Sequence, residues 1–248
     1  VLAGGLGFLV AFELLARRRV PRRALSLHSK LVLFSSFVLL TSGTVALLAL
    51  EWANPATLGD LPLGSKLLAG FFQSVTPRTA GFNTLDYSRM TEPTLIVTLL
   101  LMFVGANPGS TGGGVKTVTL AVLLGSIGSV LRGRAELELF GRRLDVRTVV
   151  RAGVITVSAL LAIGAAFLLL VMSNGELGFV ALLFETVSAF STVGLSLGVT
   201  SRLNAFGQWV IILLMFVGRV GLLTFALALV AERPERSLRR PPEEVVIG

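Results

Sequence analysis

The sequence predicts an all-α membrane fold assembled from repeated units, each a transmembrane helix, a re-entrant loop and a second transmembrane helix. Composition is one reason: 53% of residues are hydrophobic, 15% are charged and the mean hydropathy is +0.83, a balance outside the range of soluble domains. Internal repetition is another. Residues 100–105 and 213–218 are identical copies of Leu-Leu-Met-Phe-Val-Gly, and the same 113-residue offset superposes Phe71 on Phe184, Thr79 on Thr192 and Gly81 on Gly194. Periods of about 20 to 50 residues mark solenoids, so this longer one marks a duplicated small domain. The third reason is that residues 71–83 and 184–196 are too short to cross a bilayer yet lie between segments that can. Each reads as a hairpin that enters the membrane and turns back.

Taken in order, residues 1–16 read as the tail of an earlier span, with Pro21 ending the helix inside the basic run 17–23. The chain opens without Met inside apolar sequence, as a piece cut within a helix would. Residues 31–50 carry no charge and match the roughly 20 residues needed to cross a hydrocarbon core about 30 Å thick. Residues 51–64, with Pro55, Gly59, Asp60 and Pro62, have the composition of an outer loop. Residues 65–75 predict a short helix capped by Ser65 and broken at Pro77, whose C-terminal dipole points at the loop that follows.

Residues 91–131 hold two apolar runs, 95–104 and 115–131, separated by Gly105-Ala-Asn-Pro-Gly-Ser-Thr-Gly-Gly-Gly114. Six glycines and prolines in those ten positions predict a broken helix. Irregular backbone at that depth must be buried or face a wet cavity. Residues 132–151 mix acids with arginines and predict a cytoplasmic connector containing a short amphipathic helix. The pattern then repeats: a span over 148–172, a turn at 173–176, re-entry over 178–190, a span over 206–230 and a solvated tail over 232–248.

The net charge of +8 is concentrated, with 16 of 22 Lys and Arg in residues 17–30, 132–151 and 233–240. These clusters fall on one side of every predicted span, so they set orientation with the basic loops and tail in the cytoplasm. That distribution argues against nucleic-acid binding. The chain has no cysteine and one histidine, His28, in a basic segment where a structural role fits best. No carboxylate pair has acid/base or metal-ligand spacing. Ser110, Thr111, Ser191 and Thr192 have no base nearby in sequence, so no hydrolytic site is predicted.

The chemistry lies in backbone. Residues Thr79-Ala80-Gly81-Phe82 and Thr192-Val193-Gly194-Leu195 can replace an ion's hydration shell with carbonyl oxygens, because glycine adopts positive φ at little cost. The plainer reading is a tight turn at each hairpin tip; its repetition at matched positions weighs against that. The Gly-rich stretch 109–117 departs from the phosphate-loop pattern because Val115 separates Gly114 from Lys116. A packing kink remains its bland alternative. Arg78 and Glu185 are charges beside the two loops and are expected to brace them by ion pairing with each other or with neighbours. The alternative for Arg78 is that it reaches the outer aqueous mouth. Arg219 stands at the repeat position of Ala106 and is expected to donate hydrogen bonds to carbonyls freed by the helix break.

Three segments carry a specific likeness: Ser-Leu-His-Ser-Lys-Leu-Val-Leu at 26–33, Thr-Pro-Arg-Thr-Ala-Gly-Phe-Asn at 76–83 and Gly-Ala-Asn-Pro-Gly-Ser-Thr-Gly-Gly-Gly-Val-Lys-Thr at 105–117. At these residues the chain resembles the Trk/Ktr/HKT superfamily of potassium transporters, in particular its bacterial Ktr branch. The resemblance implies four fused units related to the K⁺-channel pore, each keeping one filter glycine. It assigns residues 1–23 to the end of a preceding pore-lining helix and a cytoplasmic link, 24–133 to the third repeat with its broken second helix, 134–232 to the fourth repeat and 233–248 to a cytoplasmic tail. The first repeat and nearly all of the second would lie outside the chain.

By the same resemblance the K⁺ filter comprises Thr79, Ala80, Gly81, Phe82, Thr192, Val193, Gly194 and Leu195, supported by Arg78, Asn83 and Glu185. The gate would comprise Ala106, Asn107, Pro108, Gly109, Ser110, Thr111, Gly112, Gly113, Gly114, Lys116 and Arg219. It further implies K⁺ as the transported ion with no cofactor, Na⁺ as a modulator, a homodimer in the plasma membrane of a bacterium, contact with lipid and a cytoplasmic ring of nucleotide-binding regulatory subunits. Two rivals remain at this point: a membrane-embedded enzyme acting at the Gly-rich loop, and a non-conducting structural membrane protein.

Overall fold

A computed structural model describes residues 1–19, 24–133 and 137–221. Helices α1 (Leu2–Gly5) and α2 (Phe8–Arg19) are separated by Gly7, whose φ is +84°. Helix α3 (Leu27–Glu51) begins four residues before the uncharged run. Its start is fixed by Ser26, whose hydroxyl accepts from the Ser29 amide at 3.2 Å, and by Glu13 on α2, which accepts from the Ser26 amide at 2.6 Å and hydroxyl at 2.7 Å. A carboxylate at a helix N-terminus is favoured by the helix dipole and the free amides there.

Helix α4 (Leu63–Val75) is capped by Pro62, not by the expected Ser65. Proline's fixed φ suits the start of a helix and sets it two residues earlier. Helices α5 (Glu92–Phe103) and α6 (Thr117–Leu131) flank the break. Val104 and Val115 form an isolated parallel bridge, with the Gly105 amide donating to the Val115 carbonyl at 2.9 Å. The intervening loop therefore leaves and returns at one point.

Between α6 and α7 the expected amphipathic helix is replaced by a hairpin of β1 (Glu138–Leu139) and β2 (Arg142–Arg143). The reason lies in its turn. Phe140 and Gly141 both have positive φ, 52° and 72°, the conformation whose twist suits a two-residue hairpin loop, while Leu137 and Leu139 pack with Val122 and Ala152.

Helix α7 (Val146–Asn174) is capped by Asp145, which accepts from the Arg147 amide at 3.0 Å. Helix α8 (Phe179–Phe190) follows, then α9 (Ala205–Val220), whose cap Asn204 accepts from the Gly207 amide at 2.8 Å. Pro21, the remainder of the expected last span and the tail lie outside the described residues.

Helices α3 and α7 are long and apolar enough to cross a membrane. The main core joins α5, α7 and α8 around Tyr87, Met102, Leu170, Leu182 and Phe184. Tyr87 and Phe184 meet with ring centroids 5.7 Å apart. Large apolar side chains such as Phe12, Phe37, Leu68, Leu161 and Met172 are exposed on the outside of the bundle, as on a surface that meets membrane or other protein.

Candidate ion pathway

Two loops follow the short helices α4 and α8, and their backbones match across the repeat. Thr79 and Gly81 have φ of 64° and 71°; Thr192 and Gly194 have φ of 54° and 89°. A β-branched residue at positive φ is a genuine outlier, and two of the three such non-glycine residues among those described are Thr79 and Thr192. The loops face each other. A Cβ added to Gly81 would overlap the Val193 carbonyl oxygen, and one added to Gly194 would stand 3.7 Å from the Gly81 Cα.

Each loop is tied to its helix. The Ala80 amide donates to the Thr76 carbonyl at 3.1 Å and the Val193 amide to the Ser188 carbonyl at 2.9 Å. Thr76 also donates its hydroxyl to the Phe82 carbonyl. Behind the first loop, the Tyr87 hydroxyl donates to Gln73 Oε1 at 2.8 Å. Beside the two loops lies a polar cavity of about 340 Å³ lined by Asn83, Tyr87, Gly194, Ser196, Thr200 and Ser201.

The expected bracing residues bond to neighbours and not to each other. Arg78 and Glu185 do not pair: an Arg78 Nη2 donates to Ser36 Oγ on α3 at 3.3 Å, and Glu185 Oε1 accepts from Thr200 at 2.6 Å. Arg78 follows the C-terminal end of α4 while Glu185 sits within α8, at a different position along the repeat. Arg78 is only 7% exposed and borders a cavity with Leu6, Ser36 and Asn107. Asn83 donates to the Leu85 carbonyl at 3.3 Å and is exposed.

The Gly-rich loop passes beneath both left-handed threonines. The Gly113 amide donates to the Thr192 hydroxyl at 3.0 Å, and a Cβ on Gly112 would strike the Thr79 side chain. Glycine is required here by close approach. Two cations hold successive carbonyls of this loop, Arg219 Nη1 at Thr111 and Lys116 Nζ at Gly112. Ala106 and Asn107 are fully buried. Asn107 donates to the Gly5 carbonyl at 2.8 Å and to Ser36 Oγ at 3.1 Å, and accepts from Thr117. The Phe8 amide donates to Gly109 at 3.1 Å, and Ser110 donates its hydroxyl to the Asn107 carbonyl at 2.5 Å. Pro108 and Gly114 complete the loop, the latter with φ of 71°.

Sequence reading missed Ser36 and Thr117, polar residues on helices that give no signal beyond their polarity. It also passed over Glu51 as the first residue of a loop.

The family model of the cation transport protein TrkH matches residues 1–240. The chain belongs to the TrkH family of cation transport proteins. That family is described as cation transport proteins, which sets the enzyme reading aside. It is 40% identical to Ktr system potassium uptake protein B of Bacillus subtilis over 247 residues, all of this chain and 55% of that protein. It is likewise 40% identical to the protein of the same name in Vibrio alginolyticus, over 98% of this chain and 53% of that one. The potassium/sodium uptake protein NtpJ of Enterococcus hirae is 38% identical, with 100% and 55% covered. The chain thus spans about half the length of the relatives it matches. Its fold also matches the crystal structure of the potassium transporter TrkH from Vibrio parahaemolyticus, with a TM-score of 0.72 and 20% identity over 92% of this chain and 50% of that one.

Proposed function

We propose that the chain supplies two of four pore repeats of a potassium uptake transporter, in which K⁺ descends its gradient between residues 79–82 and 192–195. The observation that carries this is the matched backbone: Thr79 and Gly81, like Thr192 and Gly194, hold positive φ on either side of a residue that does not. Such alternation turns successive carbonyls to one side, as replacement of a hydration shell requires, and the cost of two left-handed threonines argues for a use. The printed names of the Ktr relatives support potassium as the cargo. In this reading the two loops are re-entrant pore loops on units related to the K⁺-channel pore.

The Gly-rich loop lies below them as a gate, latched by Arg219 and Lys116 on carbonyls that the broken helix leaves free. A homodimer, a regulatory nucleotide-binding ring on the basic side and Na⁺ modulation complete the proposal for the longer parent protein.

The test is potassium uptake by the full-length parent in bacteria lacking their own transporters. Uptake above background separates a transporter from a non-conducting relative. In the same cells Gly81→Ser should lower the K⁺/Na⁺ uptake ratio before it lowers expression. An unchanged ratio in a well-expressed variant would reduce the two glycines to tight turns.

A further inference from the structure

A groove of about 460 Å³ runs between the N-terminal half of α3 and α6 under the β1–β2 hairpin. Its walls are Leu31, Phe34, Val38, Leu120 and Leu124, and its deep end reaches Thr117, the residue that bonds Asn107. Leu139 closes it over Gly125, and Phe140 meets Phe34 edge to face with centroids 5.9 Å apart. The volume falls in the range of about 300–1,000 Å³ typical of small-ligand sites. Charge distinguishes it from the other apolar faces of the bundle.

Three exposed cations stand on the elements that frame it. Lys30 precedes Phe34 by one turn on α3, and Arg132 follows Gly125 by seven residues, two turns on the same face of α6. Arg142 is the cross-strand partner of Leu139, so it lies on the groove face of the hairpin. The carboxylate at the rim, Glu138, is the cross-strand partner of Arg143, and opposite charges so placed offset each other. Among the described residues, three cations thus lie toward the open end of an apolar slot whose rim carries one carboxylate.

We infer that this groove binds one anionic phospholipid, an acyl chain lying between α3 and α6 and the phosphate held by Lys30, Arg132 and Arg142. Basic pockets between membrane helices recognise lipid headgroups in this way, each cation contributing about fivefold in affinity near the surface. The inference rests on the membrane fold and the hairpin, and stands or falls independently of the potassium reading.

Native mass spectrometry of the full-length parent protein in mild detergent, with equal amounts of phosphatidylglycerol and phosphatidylcholine of matched chains, tests it. Phosphatidylglycerol adducts should exceed phosphatidylcholine adducts about tenfold or more. Lys30→Ala with Arg142→Ala should weaken phosphatidylglycerol binding about 25-fold with the melting temperature unchanged, since both side chains are exposed. Leu124→Trp, which fills the slot, should reduce both lipids. Equal retention of the two lipids, or unchanged phosphatidylglycerol binding in the double variant, would overturn the inference. Full displacement by millimolar inorganic phosphate would overturn it in favour of a bare anion site. A second polypeptide bound in place of lipid would overturn it in favour of a protein contact.

Discussion

Gly81 lies against the carbonyl of Val193 so closely that a Cβ on Gly81 would overlap the oxygen, whereas a Cβ on Gly194 would meet nothing nearer than the Gly81 Cα at 3.7 Å. The two loops are matched in backbone and unequal in tolerance. Both glycines have positive φ, so alanine at either costs about 1–2 kcal/mol of backbone strain. Only Gly81→Ala also displaces a carbonyl of the opposite loop. In the full-length parent, Gly81→Ala is therefore expected to lower the K⁺/Na⁺ uptake ratio roughly tenfold more than Gly194→Ala, a factor of ten corresponding to about 1.4 kcal/mol. Equal losses would mean that the loops do not face each other across the pathway.

Asn107 ties the Gly-rich loop to three elements through Gly5, Ser36 and Thr117. Replacing it with alanine removes all three side-chain bonds; Gly5 keeps the residue-107 amide at 3.2 Å and Ser36 keeps Arg78, but the buried Thr117 hydroxyl loses its partner, a cost of about 1–3 kcal/mol. If the loop is a barrier, Asn107→Ala should raise K⁺ flux severalfold while lowering the melting temperature by several degrees. Flux measured in vesicles at matched protein content decides this. Lower flux from a normally assembled variant would assign the loop to filter support.

Glu51 is 1% exposed at the end of α3 and accepts five hydrogen bonds. Oε1 takes the Thr91 amide at 2.9 Å, the Thr91 hydroxyl at 2.8 Å and the Thr94 hydroxyl at 2.6 Å; Oε2 takes Asn54 Nδ2 and the Thr57 hydroxyl, each at 2.6 Å. One carboxylate thus staples the loop after α3 to the start of α5. Glu51→Gln turns one acceptor into a donor facing donors, and either Thr91 or Asn54 loses its acceptor. The expected cost is about 1–3 kcal/mol, read as a fall of several degrees in thermal melting with K⁺ selectivity unchanged. A variant that melts with the parent would show that the staple is dispensable.

These relationships differ in how far the sequence exposes them. The duplicated hexapeptide and the pairs Thr79 with Thr192 and Gly81 with Gly194 are legible because equivalent backbone geometry in two repeats demands equivalent residues. Breaker density likewise marks the interrupted helix between Phe103 and Thr117. Rotation about a helix axis is less visible: in an apolar run Ser36 looks like any serine, and nothing in sequence turns it toward Arg78 and Asn107. The pairing expected for Arg78 and Glu185 fails for the same reason, since closeness to matching loops does not fix depth. The hairpin at 138–143 is hidden because its turn is Phe140-Gly141 instead of the usual Asn-Gly, and its mixed charges suit a helix face equally well.

Arg219 donates to the Thr111 carbonyl and Lys116 to the next one, Gly112. Two cations on adjacent carbonyls repel each other, and Arg219 is exposed in the last turn of α9. Their joint placement makes sense where the loop's freed carbonyls must be held and passing cations opposed. A latch and a structural tie then predict different outcomes for Arg219→Ala. A latch gives higher K⁺ flux with little loss of assembly, because Lys116 and the Asn107 bonds still position the loop. A tie gives lower expression and a lower melting temperature with flux per assembled protein unchanged. Arg219→Lys refines the choice: a point charge restores repulsion but not the planar fork of donors. If opposition to K⁺ dominates, lysine should return flux to the parental level; if hydrogen bonding dominates, flux should stay raised. Parental flux and parental melting in Arg219→Ala would defeat both roles.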